Sequence, residues 1–195
     1  MTPIANDDAA VTAVLAGDRD AFASLVEAHR ERAYRATYLV LHDAAAAEDV
    51  MQEAFVRAYR SLDRFRLGDP FGAWLIRIAV NLALNEVRSR GRRLAWLPRI
   101  WAGQASRPGP ESTVEAAERR SEVQEAIATL PANDRVALYL RYYLDLNERE
   151  MAVALAVAPG TVKSRLSRAS QRLRSVIEAR YPHLRHTFEE RGPDR

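Results

Sequence analysis

Residues Pro159–Arg168, with the sequence PGTVKSRLSR, bring together cations and short hydroxyl side chains, the types that meet phosphate oxygens and base edges in DNA. Turning each residue about 100° from the last, as an α-helix does, gathers Val162, Leu166, Ala169, Leu173, Val176 and Ile177 on one stripe. Lys163, Ser164, Ser167, Arg168, Gln171 and Arg174 fall on the other side. One face can then pack on a core while the opposite face meets a ligand. Upstream, Asn147 stands three residues before Glu150, the spacing of a reciprocal cap at a helix start. The short helix it opens, through Met151, Ala152 and Leu155, ends before Val157-Ala158-Pro159-Gly160. Two helices joined by so brief a turn form a helix-turn-helix, whose second helix enters the major groove by its N-terminal end.

The charge distribution agrees with an anionic partner. The formal net charge is only +3, yet residues 161–180 hold six basic residues and one acidic one. Residues 91–110 hold four basic residues and no acid, whereas residues 1–20 set Asp7, Asp8, Asp18 and Asp20 against Arg19. Local excess of this kind governs contact with phosphate more than the sum does. Lys163 is the only lysine among the 29 basic residues. Absence of cysteine excludes disulfides and thiolate metal sites. His29, His42, His183 and His186 stand in no ligand or triad spacing, and no carboxylate pair is singled out, so no catalytic residue, metal or cofactor is expected. No signal segment or membrane-length apolar run is seen, so stable membrane insertion is not expected and the cytoplasm is the default compartment.

Helical periodicity runs through most of the chain and no alternating strand is convincing, which predicts an all-α protein of two small helical domains. The first block, 18–90, follows an N-terminal extension at 1–17. It carries Phe22, Leu25, Val26 and His29 on one helix, continued through Tyr34, Tyr38 and Leu41. Asp43 is expected to cap the next helix, which buries Val50, Met51, Ala54, Phe55 and Ala58. Phe65-Arg66-Leu67-Gly68-Asp69-Pro70-Phe71 breaks the pattern before a further helix with Trp74, Leu75, Ile78, Ala79, Leu82 and Val87. Residues 91–114, with Pro98, Pro108 and Pro110, read as a flexible linker. The second block, 115–180, ends in the helix-turn-helix, and the polar tail at 181–195 is expected to fray.

Ala47-Glu48-Asp49-Val50-Met51-Gln52-Glu53-Ala54-Phe55, then Phe65-Arg66, then Phe71-Gly72-Ala73-Trp74-Leu75-Ile76-Arg77-Ile78-Ala79-Val80-Asn81 resemble region 2 of the extracytoplasmic-function (ECF, group IV) sigma factors. Leu130-Pro131, Arg135, Leu140-Arg141-Tyr142-Tyr143 and Gly160-Thr161-Val162-Lys163-Ser164-Arg165-Leu166 resemble region 4 of the same family. About two-thirds of the chain is covered, in the family's order. The resemblance implies an alternative bacterial sigma factor that binds core RNA polymerase, directs it to specific promoters and assists melting. Such a protein is a non-catalytic initiation subunit with no small-molecule substrate, and the family is commonly held inactive by an anti-sigma factor.

The same resemblance assigns residues. Region 4 reads the minus-thirty-five element as duplex, which places Thr161, Lys163, Ser164, Ser167, Arg168 and Gln171 at the groove, with Arg141 and Arg149 nearby as phosphate contacts. Region 2 holds the melted strand and reads extruded bases of the minus-ten element. Unstacked bases need aromatic or apolar walls and polar groups at their edges. Phe65, Phe71, Trp74, Arg77 and Asn81 fit that description, with the loop from Phe65 to Phe71 as a specificity lid; Phe71 and Trp74, aromatics at helical spacing, could instead be core, and Trp74 is either wedge or core. Asn81, an amide amid apolar neighbours, needs a partner. Asp49, Gln52 and Glu53 would meet basic residues on the clamp coiled coil of the polymerase.

Three features depart from the family pattern. Ala156 stands where glycine is common, Trp96 and Trp101 lie among linker arginines, and the tail belongs to neither region. In relatives the linker threads through the polymerase channel, but Leu94–Trp101 could equally cover a domain surface, touch an anionic membrane or meet an inhibitory partner. A helix-turn-helix regulator that acts without joining the polymerase is the competing reading; it leaves the first block unexplained and wants a dimer seam that the sequence lacks.

Overall fold

The computed structural model describes residues 4–93 and 114–184, all of them helix, 3-10 turn or connecting loop. Helices α1 (Ile4–Leu15), α2 (Ala21–Leu41), α3 (Ala44–Arg60) and α4 (Phe71–Arg93) form a first unit. Helices α5 (Val114–Ala128), α6 (Ala132–Tyr142), α7 (Glu148–Leu155) and α8 (Pro159–Arg180) form a second. The linker segment with Trp96 and Trp101, and the tail beyond Leu184, lie outside the described residues.

In the first unit α2, α3 and α4 pack mutually around Leu25, Ala33, Met51, Ala54, Phe55, Leu75 and Ala79. Their apolar residues recur at helical spacing, so each helix offers a stripe to the others. Asp43 caps α3 as expected: its side chain accepts from the Ala46 amide at 3.1 Å. The buried Thr37 hydroxyl lies 2.8 Å from the Tyr34 carbonyl and 3.0 Å from that of Ala47, which ties α2 to α3. The block delimited from the sequence begins at Asp18, but α1 lies on α2 and buries Val11 in the same core. The acids of this N-terminal extension have partners inside the unit: Asp7 is buried against His29.

The second unit is built from three shorter helices and the 22-residue α8. Asn147 Oδ1 accepts from the Glu150 amide at 3.0 Å, and Glu150 Oε2 accepts from the Asn147 amide at 2.9 Å, the expected reciprocal cap of α7. Ala156 closes α7 in the left-handed region at φ 52°, and Pro159 opens α8 where its missing N–H is harmless. The Arg135 guanidinium donates to the Ala128 and Leu130 carbonyls at 2.9 and 3.1 Å, satisfying the end of α5. Arg172 of α8 pairs with the buried Asp134 of α6. The tail does not fray at once: Leu184 is buried against α5 and α8, the Tyr181 hydroxyl donates to Glu125 at 2.9 Å, and His183 lies 2.8 Å from Glu122. An apolar side chain three residues past Tyr181 outweighs the polar sequence around it.

The two units share a core. Ala36, Ala73, Ile76 and Val80 of the first lie in one buried cluster with Val136, Leu140, Met151 and Val162 of the second. Ion pairs edge this contact: Arg32 to Glu150 at 3.5 Å, and Arg149 to Asp69 at 3.9 Å.

Candidate nucleic-acid interface

Helix α8 presents the face that its sequence requires. Val162, Ala169 and Ile177 are buried, with Leu166, Leu173 and Val176 packed beside them. Lys163, Ser164, Ser167, Arg168, Gln171 and Arg174 are all exposed, and Thr161 is half-buried at the first turn. Arg168 Nε donates to the Ser164 carbonyl at 3.2 Å, and the Ser164 hydroxyl to that of Thr161 at 3.0 Å, so both side chains follow the helix surface. An open groove of about 390 Å³ beside them, between the Leu130–Pro131 turn and α8, adds Arg172 to Arg168 and Gln171 on its rim. Cations and hydroxyls on a rigid helix can meet phosphates and base edges together.

The two expected phosphate arginines are occupied within the protein. Arg141 is half-buried and donates to the Leu146 carbonyl at 3.0 Å, supporting the turn into α7. Arg149 reaches the first unit, where it donates to the Gly68 carbonyl and lies beside Asp69.

On the first unit, Trp74, Arg77 and Asn81 stand at i, i+3 and i+7 along one side of α4, with Trp74 half-buried and the other two exposed. The Asn81 amide therefore lies at the surface and not among apolar neighbours, because the residues around it in sequence turn to other sides of the helix. Phe65 and Phe71 are corrected from open walls to core: Phe71 is 0% exposed and Phe65 7%. Their rings lie 5.6 Å apart, and those of Phe65 and Phe71 lie 5.3 and 5.7 Å from that of Trp74. Aromatics at helical spacing bury about 150–250 Å² each, and that gain outweighs exposure unless a ligand covers them. Sequence reasoning missed Leu67, which is 51% exposed at the crest of the loop. An apolar residue between Arg66 and Gly68 in a turn was the available signal.

Asp49, Gln52 and Glu53 are exposed on α3, on one acidic edge. Glu53 already pairs with Arg57 at 2.7 Å, and Gln52 lies 3.4 Å from Glu48. Among the described residues no helix is long and apolar enough to cross a membrane.

Comparison with known proteins fits this geometry. Family models for Sigma-70 region 2 and Sigma-70 region 4 match residues 25–93 and 120–173. The chain is 34% identical over 171 residues to the ECF RNA polymerase sigma factor SigW of Bacillus subtilis (strain 168), covering 83% of this chain and 91% of that protein. It is 36% identical over 179 residues to the ECF RNA polymerase sigma factor SigE of Mycolicibacterium smegmatis (strain ATCC 700084 / mc(2)155), covering 88% and 69%. The fold is similar to that of the sigma factor RpoE in complex with the anti-sigma factor NepR from Bartonella quintana, with a TM-score of 0.62 at 24% identity over 82% of this chain and 98% of that one. Two region matches in order, and relatives aligned along most of their length, place the chain in the extracytoplasmic-function family of RNA polymerase sigma factors.

Proposed function

We propose that this alternative sigma factor, which directs RNA polymerase to promoters, divides the task among three surfaces. The exposed side of α8, with Lys163, Ser164, Ser167, Arg168 and Gln171 behind the first-turn Thr161, reads the minus-thirty-five duplex. The side of α4 with Trp74, Arg77 and Asn81, together with the crest of the 65–71 loop, holds the melted minus-ten strand. Phe65 and Phe71 stiffen that surface from beneath. Asp49, Gln52 and Glu53 meet the polymerase. Arg141 shapes the turn before α7, and Arg149 turns to phosphate when it leaves the first unit. An anti-sigma factor is a further partner, as NepR is for RpoE of Bartonella quintana. The chain itself is non-catalytic and works in the bacterial cytoplasm alongside the polymerase. The first unit, which takes in α1, and the second, which runs on to Leu184, are joined by the segment between Arg93 and Val114.

The observation that carries this reading is α8: Lys163, Ser164, Ser167, Arg168 and Gln171 are open, and its apolar stripe is packed. Run-off transcription with sigma-free bacterial core polymerase and a promoter library tests it. Specific initiation should appear with the wild-type chain and be lost with Lys163→Ala or Asn81→Ala. Tight duplex binding with neither initiation nor core association would overturn it.

A further inference from the structure

The loop that crosses from α3 to α4 is anchored by a helix that lies wholly ahead of the matched region 2 segment at 25–93. Asp8 of α1 accepts the Gly68 amide with both carboxylate oxygens, Oδ2 at 2.9 Å and Oδ1 at 3.1 Å. Gly68 has φ 89°, a conformation that side chains rarely adopt, so glycine at the crest is what lets this amide face α1. One residue earlier, buried Asp7 lies 3.0 Å from His29 Nε2. The His29 ring is 5.4 Å from that of Phe71, and a Cβ on Gly72 would lie 2.8 Å from His29 Nδ1. Two consecutive carboxylates thus fix both ends of the step into α4: Asp8 holds the crest, and Asp7 acts through His29 on the first turn. A hydrogen bond from an amide to a carboxylate is about twice as strong as a neutral one, and directional.

The other hold on Gly68 is made by Arg149 from the second unit. That bond breaks when the units part, whereas Asp8 belongs to the unit that carries the loop.

We propose that Asp8 is a positioning residue for promoter recognition: by holding the Gly68 amide it fixes the pose in which Leu67 and the loop crest meet an extruded minus-ten base. The proposal rests on the reading that the 65–71 loop contributes to minus-ten recognition. The acidic N-terminal segment is accordingly part of the reading head.

The test uses the full chain, sigma-free core polymerase and templates that share one minus-thirty-five element selected by the wild type, with a randomised minus-ten element. Asp8→Ala should flatten the preference for the best minus-ten sequence over single-base variants by about tenfold. Core affinity should stay as in the wild type, and the thermal midpoint should fall only by the few degrees that one lost hydrogen bond implies. Asp8→Asn retains one acceptor oxygen and should restore most of the preference. Leu67→Ala serves as the control for the underlying reading. If Leu67→Ala alters the preference and Asp8→Ala leaves it as in wild type, the role of Asp8 is overturned and the loop reading stands. If neither alters it, both fall. An equal drop on every template with Asp8→Ala marks a merely structural role and also overturns the proposal. Hydrogen exchange at Gly68 gives a check that needs no variant: the amide should be protected in the wild-type chain, and exchange at the rate of an open loop amide would sink the idea.

Discussion

The two units are both small helical bundles, yet they achieve rigidity differently. The first packs rings: Phe22 meets Phe55 edge-on at 6.4 Å, and Phe65, Phe71 and Trp74 form a triangle beneath the loop. Among the described residues, no buried aromatic comes from the second unit, whose core is Leu, Val, Ile, Ala and Met spread over several clusters. The second unit relies instead on helix ends, on the Arg172–Asp134 pair and on the neighbouring unit. The helix assigned to the groove, α8, has no side-chain cap of its own and starts on Pro159, directly behind the capped α7.

This contrast can be broken by experiment. Phe71→Ala removes a fully buried ring and should destabilise the first unit by about 3–5 kcal/mol, measured by thermal unfolding. A cost below about 1 kcal/mol would mean that the ring triangle is not what stiffens the unit. The caps give the next largest effect. Asn147→Ala breaks a reciprocal cap on a helix of eight residues and should cost about 1–2 kcal/mol in denaturant unfolding. Asp43→Ala breaks a single bond on a helix of 17 residues and should cost about 0.5–1 kcal/mol. Equal costs would erase the distinction between the units.

Ala156→Gly should stabilise the second unit by about 0.5–1 kcal/mol, since glycine relieves the left-handed strain while adding some freedom to the unfolded chain. A lower midpoint would show that the alanine methyl matters more than its backbone. The smallest effect concerns His42, at the end of α2. Desolvation of its ring, and then the Arg135 charge on the other unit, lower its pKa from the ordinary 6.5. The folded chain therefore binds that proton less readily than the unfolded chain. Its contribution to stability is complete above 6.5 and declines as the pH falls through that value. His42→Asn keeps the left-handed end, at φ 52°, and should remove that part of the slope between about pH 7.5 and about pH 5.5.

Features set by neighbours in sequence were legible. The caps at Asp43 and Asn147, the turn before Pro159 and the open face of α8 each follow from spacing within one or two turns. Helical periodicity could not reveal which stripe a distant partner would cover. Phe65 and Phe71 have the same sequence signature whether they line a groove or fill a core. Asp8 meets Gly68 across 60 residues and Arg149 meets it across 81, and no local pattern encodes either contact. The run of acids at the N-terminus had the composition of a solvated arm, and only the buried His29 and the Gly68 amide reveal its work.

The apolar cluster that α4 shares with α7 and α8 holds the two units together in a closed form, and any separation into an open form has to expose it. Removing apolar surface from water is favourable by about 25 cal/mol per Å², so contact between Ile76, Val80, Met151 and Val162 favours the closed form. A ligand that engages only the open form meets a chain whose competent fraction is set by that equilibrium, and its apparent dissociation constant is the intrinsic one divided by the fraction. Were about one molecule in a hundred open, binding would be weakened about a hundredfold with every contact residue intact. Substitutions between α4 and α7 would then retune affinity for DNA and polymerase together, without touching either.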